Sequence, residues 1–342
     1  MGDVRRSDPS EPGLTRRRHG RGFRYLGLDG CTPADPEQVR RIKELVIPPA
    51  WRDVWICPDG DGHIQAVGID DAGRRQYIYH AEWRARRDRE KHDRVLDLAA
   101  RLPAVRAVLA GHMAGRGFTR ERVLAAAVRL IDLGFFRVGG EEYAAENGTF
   151  GVATVLREHV RCRRDVVIFE YPAKGARERQ QAVAEEEVRR VVNGLKRRRD
   201  PGPELLAYRN RDGAWHDVLT SDINDYIREV TGGDFTAKDF RTWHATVLAA
   251  VGLAVSVPRA GDGERRRARA VTRVVREVAG YLGNTPAVAR ASYIDPRVIE
   301  LYERGETIAP ALTELGVDAE AGELATQGPA EQAVLDLLRP DG

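Results

Sequence analysis

The sequence predicts an α+β protein, with a small β-rich N-terminal domain followed by a larger, mostly α-helical one. Three observations carry this prediction. Between Tyr25 and Tyr79, short apolar runs alternate with Gly- and Asp-rich turns. From about Ala81 the apolar spacing lengthens to that of helices. The 342 residues, 42% of them apolar, also exceed the roughly 100–200 typical of one domain.

Along the chain, residues 1–20 mix Arg, Pro, Gly and Ser with little apolar content and read as a flexible basic tail. A domain over 21–90 follows. It opens with a helix over 36–45 carrying Val39, Ile42 and Leu45 on one face. The runs 54–57, 63–69 and 75–79 then form a small antiparallel sheet, broken at the turns 58–62 and 70–73. The larger domain spans 91–308. Its helices are expected over 81–102, 103–113 and 119–133, then over 181–196, 221–230 and 239–253. A strand at 166–169 is expected to pair with 154–156 and with a strand after Lys174. Residues 259–268 are Gly- and Arg-rich and read as a loop. Val271, Val274, Val275, Val278 and Leu282 lie on one face of a helix stopped by Gly283. The remainder, 309–342, is a tail with one short apolar helix over 333–338.

Composition excludes several classes. Cys31, Cys57 and Cys162 are scattered, with no Cys-x-x-Cys pair, which argues against a disulfide framework or a zinc site and for a reducing compartment. No apolar run reaches the ~20 residues needed to span a bilayer, and the N-terminus has no apolar signal core. A cytoplasmic, nucleoid-associated protein without metal, cofactor or membrane partner is expected. Net charge is only +3, so local clusters say more than bulk charge. Arg5, Arg6, Arg16, Arg17, Arg18, Arg21 and Arg24 form one cluster, and Arg84, Arg86, Arg87, Arg89, Lys91 and Arg94 lie in a second. Such runs serve equally as solvated faces or as phosphate contacts.

The chemistry concentrates around Leu282-Gly283-Asn284-Thr285-Pro286 and Ala291-Ser292-Tyr293. Gly283 can end one helix, Thr285 can cap the next and Pro286 suits its first turn. This presents Tyr293 at the end of a helix-turn-helix element. A phenol titrates near 10 in general, so it attacks phosphorus only beside positive charge or a base. Arg137, Lys174 and Arg241 are the candidate cations. Arg137 precedes Gly139-Gly140, which permits close backbone approach. Lys174 sits in a turn between strands, and Arg241 lies one helical turn beyond Lys238. Most tyrosines after helices are packing residues and most turn lysines are solvated. It is the combination that reads as a covalent phosphoryl-transfer site acting on DNA.

Taken in order, Phe136-Arg137-Val138-Gly139, Ala173-Lys174-Gly175, Lys238-Asp239-Phe240-Arg241-Thr242, Leu282 to Pro286 and Ser292-Tyr293 resemble the type IB DNA topoisomerases, in particular the compact bacterial and poxvirus-like group. Ile47-Pro48-Pro49-Ala50-Trp51, Gly62-His63-Ile64-Gln65-Ala66 and Arg75-Gln76-Tyr77-Ile78-Tyr79-His80 are similar to that family's N-terminal domain. The resemblance implies a catalytic domain of the tyrosine recombinase/type IB topoisomerase type. It also implies that Tyr293 is the nucleophile forming a 3′-phosphotyrosyl link, that Lys174 is the acid for the 5′-oxygen, and that Arg137 and Arg241 clamp the phosphate oxygens. Gln76, Tyr77 and Tyr79 match its DNA-contacting strand, and Tyr143 and Lys238 match positions near the site. Asn284 stands where poxvirus-like members carry histidine. An amide donates a hydrogen bond but carries no charge, so Asn284 is assigned as a neutral donor. The expected partner is double-stranded DNA, held by a monomeric clamp, with relaxation of supercoils needing neither ATP nor metal. A tyrosine recombinase and a non-catalytic DNA-binding relative are the competing readings. Recombinases typically place histidine where this chain has Lys238.

Overall fold

The computed structural model describes residues 4–134, 136–173, 177–200, 202–256, 263–318 and 327–339. The chain divides into two compact units, residues 1–93 and 94–342.

The first unit is built on strands β1 (Leu14–His19) and β2 (Gly22–Leu26), helix α1 (Pro36–Glu44), and strands β3 (Arg52–Ile56), β4 (Ile64–Ile69) and β5 (Arg75–Tyr79). The five strands make one antiparallel sheet in the order β2-β1-β3-β4-β5. Asp35 caps α1 by accepting from the Glu37 amide, with Pro36 in the first turn. Leu14, Ile42, Ile47, Val54, Ile56 and Ala66 form its core. The flexible tail expected over 1–20 is corrected here. Residues 14–19 are β1, pairing with both β2 and β3. Ahead of it, the Arg5 amide donates to the Asp61 carbonyl at 2.9 Å. Composition misled because some of the arginines are structural. The Arg16 guanidinium donates to the carbonyls of Ile47, Pro48 and Trp51 at 2.8–2.9 Å and lies 4.1 Å from the Phe23 ring centroid.

Helix α2 (Ala81–Ala114) starts in the first unit and continues into the second. It is one continuous helix, not the two expected either side of Pro103. An interior proline costs about 3 kcal/mol. Here Leu102, Val105 and Leu109 are buried around it, and that packing outweighs the cost. The early arginines of α2 interleave with acids: Arg86 reaches Glu90 at 3.0 Å, and Lys91 reaches Asp88 at 3.6 Å.

The second unit continues with α3 (Arg120–Asp132), capped by Thr119, and α4 (Glu141–Asn147). Strands β6 (Val160–Cys162), β7 (Val167–Ala173) and β8 (Arg177–Val183) form an antiparallel sheet in that order. Residues 154–156, expected to pair with β7, do not. Their place is taken by β6, and Leu156 bridges Glu204 instead. Next come α5 (Glu186–Lys196), the hairpin β9 (Ala207–Arg209) and β10 (Trp215–Asp217), α6 (Thr220–Thr231) and α7 (Ala237–Ala254). The helix expected from 181 begins at 186, because 181–183 complete β8. Helices α8 (Glu264–Leu282), α9 (Pro286–Ser292), α10 (Pro296–Arg304), α11 (Ala309–Asp318) and α12 (Pro329–Leu338) finish the chain. Residues 264–268, expected in a loop, are the first turns of α8, whereas 259–262 lie outside the described residues. The expected C-terminal tail is also corrected, since Val334 and Leu338 of α12 join the main core.

A buried charge network ties α12 to that core. Asp132, fully buried, accepts from Arg106 at 2.8 and 2.9 Å and from Arg129. Arg106 also pairs with Glu331 of α12 at 2.6 Å, and the Trp243 indole donates to Glu331 at 2.7 Å. Burial pushes the Asp132 carboxyl up, but the hydrogen bond and charge of Arg106, with the charge of Arg129, hold it below its ordinary value.

Its stabilising contribution is therefore present above pH about 4, the ordinary aspartate range, and is lost as pH falls through the lowered value. Asp132→Asn is expected to cost about 3–5 kcal/mol, because it leaves Arg106 and Arg129 uncompensated. Denaturant unfolding at pH 7 and pH 3 checks this, with the difference between variant and parent shrinking at the lower pH.

Candidate active site

The site grows from the carboxyl end of α8. Gly283 takes a left-handed backbone, φ +64°, and closes the helix. The Asn284 amide returns to the Ala279 carbonyl at 2.8 Å, and that of Gly283 to Gly280 at 3.1 Å. The carbonyls of Tyr281, Leu282 and Gly283 are thereby left to accept from elsewhere, and arginine side chains serve all three. Arg179 of β8 donates to Tyr281, Arg241 of α7 to Leu282, and Arg137 to Leu282 at 3.3 Å and Gly283 at 3.1 Å. Arg137 also donates to Asn284 Oδ1 at 2.6 Å. Cations at a helix C-terminus face the negative end of its dipole.

The loop between α3 and α4 carries Arg137. The Val152 amide donates to the Arg137 carbonyl and the Ala153 amide to Val138, both at 2.8 Å. Gly139 has φ +93° and lies against Gly151. Tyr293 is fixed from the other side. Thr285 caps α9 by accepting from the Val288 amide at 3.3 Å, and Tyr293 follows as the helix's last cap, its amide bonded to Ala289 at 3.1 Å. The Thr246 hydroxyl of α7 donates to the Thr242 carbonyl at 3.0 Å, lies 3.4 Å from the Tyr293 carbonyl and accepts from the Asp295 amide at 3.1 Å. The Tyr293 ring centroid lies 5.4 Å from the Arg241 guanidinium carbon.

Arg137, Arg179 and Arg241 line one cleft of about 190 Å³ with Tyr171, Glu178, Leu282 and Gly283. Burial, and then the charge of Arg137, push Arg241 down to about 10 against the opposing pull of Tyr293. It stays charged at neutral pH. The buried Tyr171 phenol is pushed up to about 12 by desolvation, against the pull of Arg179, Arg137 and Arg241. Two buried donors of the site, Arg241 Nε and Asn284 Nδ2, lack an acceptor among the described residues. Leaving a buried donor unsatisfied costs about 1–3 kcal/mol.

Of the residues singled out from the sequence, Arg137, Arg241, Asn284 and Tyr293 come together. Lys174 lies outside the described residues, between Ala173 and Arg177, which pair at the end of β7 and β8. Tyr143 is on α4, and its side chain likewise lies outside what is described. Lys238 is exposed on the first turn of α7. In the first unit, Tyr77 and Tyr79 stack on one face of edge strand β5 with centroids 6.0 Å apart, and Arg75 lies 5.7 Å from the Tyr77 ring. Gln76 points to the opposite face and donates to Asp70 at 2.9 Å. His244 is buried with Nε2 3.9 Å from Asp132, and burial lowers its pKa, so it belongs to the charge network. Sequence reasoning missed Arg179. The available signal was strand alternation after Lys174, which puts Arg179 directly across from Tyr171.

Residues 80–313 match the model of the eukaryotic DNA topoisomerase I catalytic core, and residues 22–70 match that of the bacterial DNA topoisomerase IB N-terminal domain. The chain is also similar to the DNA topoisomerase 1B of Acanthamoeba polyphaga mimivirus, 27% identical over 297 residues, covering 85% of this chain and 88% of the viral protein.

A Cβ on Gly151 would lie 2.7 Å from the Arg137 carbonyl oxygen. Gly151→Ala must therefore displace the loop that carries this arginine. Overpacking of this kind costs about 1–3 kcal/mol, and a lowered melting temperature with unchanged far-UV circular dichroism is the expected outcome.

Proposed function

The chain belongs to the type IB DNA topoisomerase family and is an enzyme that breaks and rejoins DNA, and we propose that it relaxes supercoiled duplex through a transient 3′-phosphotyrosyl intermediate formed on Tyr293. The observation that carries this reading is the Tyr293 ring 5.4 Å from the buried guanidinium of Arg241, whose Nε has no acceptor among the described residues.

In the proposed reaction the Tyr293 oxygen attacks the scissile phosphorus, and the bond to the 5′-oxygen breaks. Lys174 gives that oxygen its proton. Arg137 and Arg241 hold the two non-bridging oxygens, and Asn284 Nδ2 adds a neutral donor. Each such donor is worth about 10²–10³ in rate. One phosphodiester replaces another, so the energy of the strand is kept and resealing needs no ATP. The cut strand rotates about its partner, and the 5′-hydroxyl then attacks the phosphotyrosine and restores the tyrosine.

We propose further that the protein acts as a monomer clamping the duplex. The stacked Tyr77 and Tyr79 with Arg75 support a DNA-contacting face on β5, because aromatic faces and a guanidinium suit sugar–phosphate edges. Lys238 is assigned a supporting contact and Tyr143 one near the site, while Gln76, on the opposite face of β5 and bonded to Asp70, is assigned a DNA contact apart from the tyrosine face.

Tyr293→Phe is expected to keep the fold and abolish plasmid relaxation. In the parent, denaturing gels should show label from the 5′ end of the cut strand retained on protein and 3′-end label released. The opposite polarity would overturn the linkage. Relaxation should continue in EDTA without ATP.

Asn284→Asp still accepts from Arg137 but adds a negative charge and removes the donor. It is expected to slow single-turnover cleavage by about 10²–10³-fold. Asn284→His keeps a donor and should stay within about tenfold of the parent.

A further inference from the structure

We infer that Arg179 is a third phosphate-contacting guanidinium of this site, engaging the DNA phosphate next to the one being cut. The inference rests on the topoisomerase reading above and extends it to a residue that reading does not use. Arg179 lines the same cleft as Arg137 and Arg241, and its guanidinium is held on the same helix end, one carbonyl earlier, at Tyr281. A Cβ added at Gly283 would lie 3.4 Å from its Nη1, so it reaches the turn that presents Asn284. Its place on β8, across from Tyr171, also couples that helix end to the β7–β8 hairpin bearing Lys174.

Its target follows from the chemistry of the ligand. A phosphodiester has two non-bridging oxygens. Arg137 and Arg241 both reach the single carbonyl of Leu282, as two donors converging on one group should. Arg179 is displaced from that point by a residue, and a third cation finds its oxygen on the adjacent phosphate. A strand of DNA offers such phosphates at regular intervals, so a row of guanidiniums along a helix end matches it.

The alternative is that Arg179 only caps α8, and salt dependence separates the two roles. Binding of a short fluorescent duplex is measured against KCl concentration in the Tyr293→Phe background. Arg179→Gln is expected to reduce the slope of log K against log salt by about one, and Arg179→Lys to restore it. In the parent, modification of Arg179 by phenylglyoxal, read by mass spectrometry, should be slowed about tenfold or more by the duplex. A slope unchanged in Arg179→Gln overturns the assignment. Should that variant not fold, unprotected modification of Arg179 in the parent overturns it. Relaxation by the parent and its loss in Tyr293→Phe test the topoisomerase reading separately.

Discussion

The negative end of α8 organises the candidate site. A helix must find partners for its last carbonyls, and here the local turn satisfies two while three are left for side chains. Guanidiniums from a loop, a strand and a helix converge on that end. Unaided, they would repel one another. A helix terminus contributes only about 0.3–2 kcal/mol per cation, so the cluster is held in place without being neutralised. The pKa of Arg241 is lowered mainly by burial, and the further lowering by the charges of Arg137 and Arg179 reflects that residual positive potential. An arriving phosphate meets donors that are already ordered, and this preorganisation is the source of electrostatic catalysis.

Helix α7 links this cluster to the interior. Arg241 faces the site, and two and three residues further along Trp243 and His244 pack into the network of Asp132, Arg106, Arg129 and Glu331. Buried ion pairs contribute little net stability against apolar replacements, but losing one partner is expensive. The network therefore acts as a constraint on placement: α2, α3, α7 and α12 cannot shift separately without stranding a charge. Helix α12 lies beyond the 80–313 region that matches the family's catalytic core, yet its Glu331 is part of the scaffold behind Arg241.

Charge clusters in this chain differ in what they do. Arginines at the start of α2 are exposed and matched by acids three and four residues away. Pairs of this kind contribute about 0.3–0.5 kcal/mol and mark a solvated helix face. Arg16 is spent on backbone carbonyls. The cations of the cleft are instead partly or wholly buried and held against main-chain oxygens.

The sequence by itself determined what depends on near neighbours. The turn from Gly283 through Thr285 to Pro286 dictates one helix stop and the next helix start, and so the presentation of Tyr293. The period change near Ala81 dictates the order of β-rich and helical parts, and the ordered motifs were legible enough to imply the family that residues 80–313 match. Only the tertiary structure decided what depends on distant partners. Residues 14–19 are a strand because β2 and β3 accept them, and the exposed Pro103 stays inside a helix because its neighbours Leu102 and Val105 are anchored in the core. Arg179 enters the cleft because the register of β7 and β8 aims it at the α8 terminus. Local sequence encodes torsion preferences and caps within a few residues. Which of many arginines meets a given helix end is fixed by packing between segments 41 to 145 residues apart.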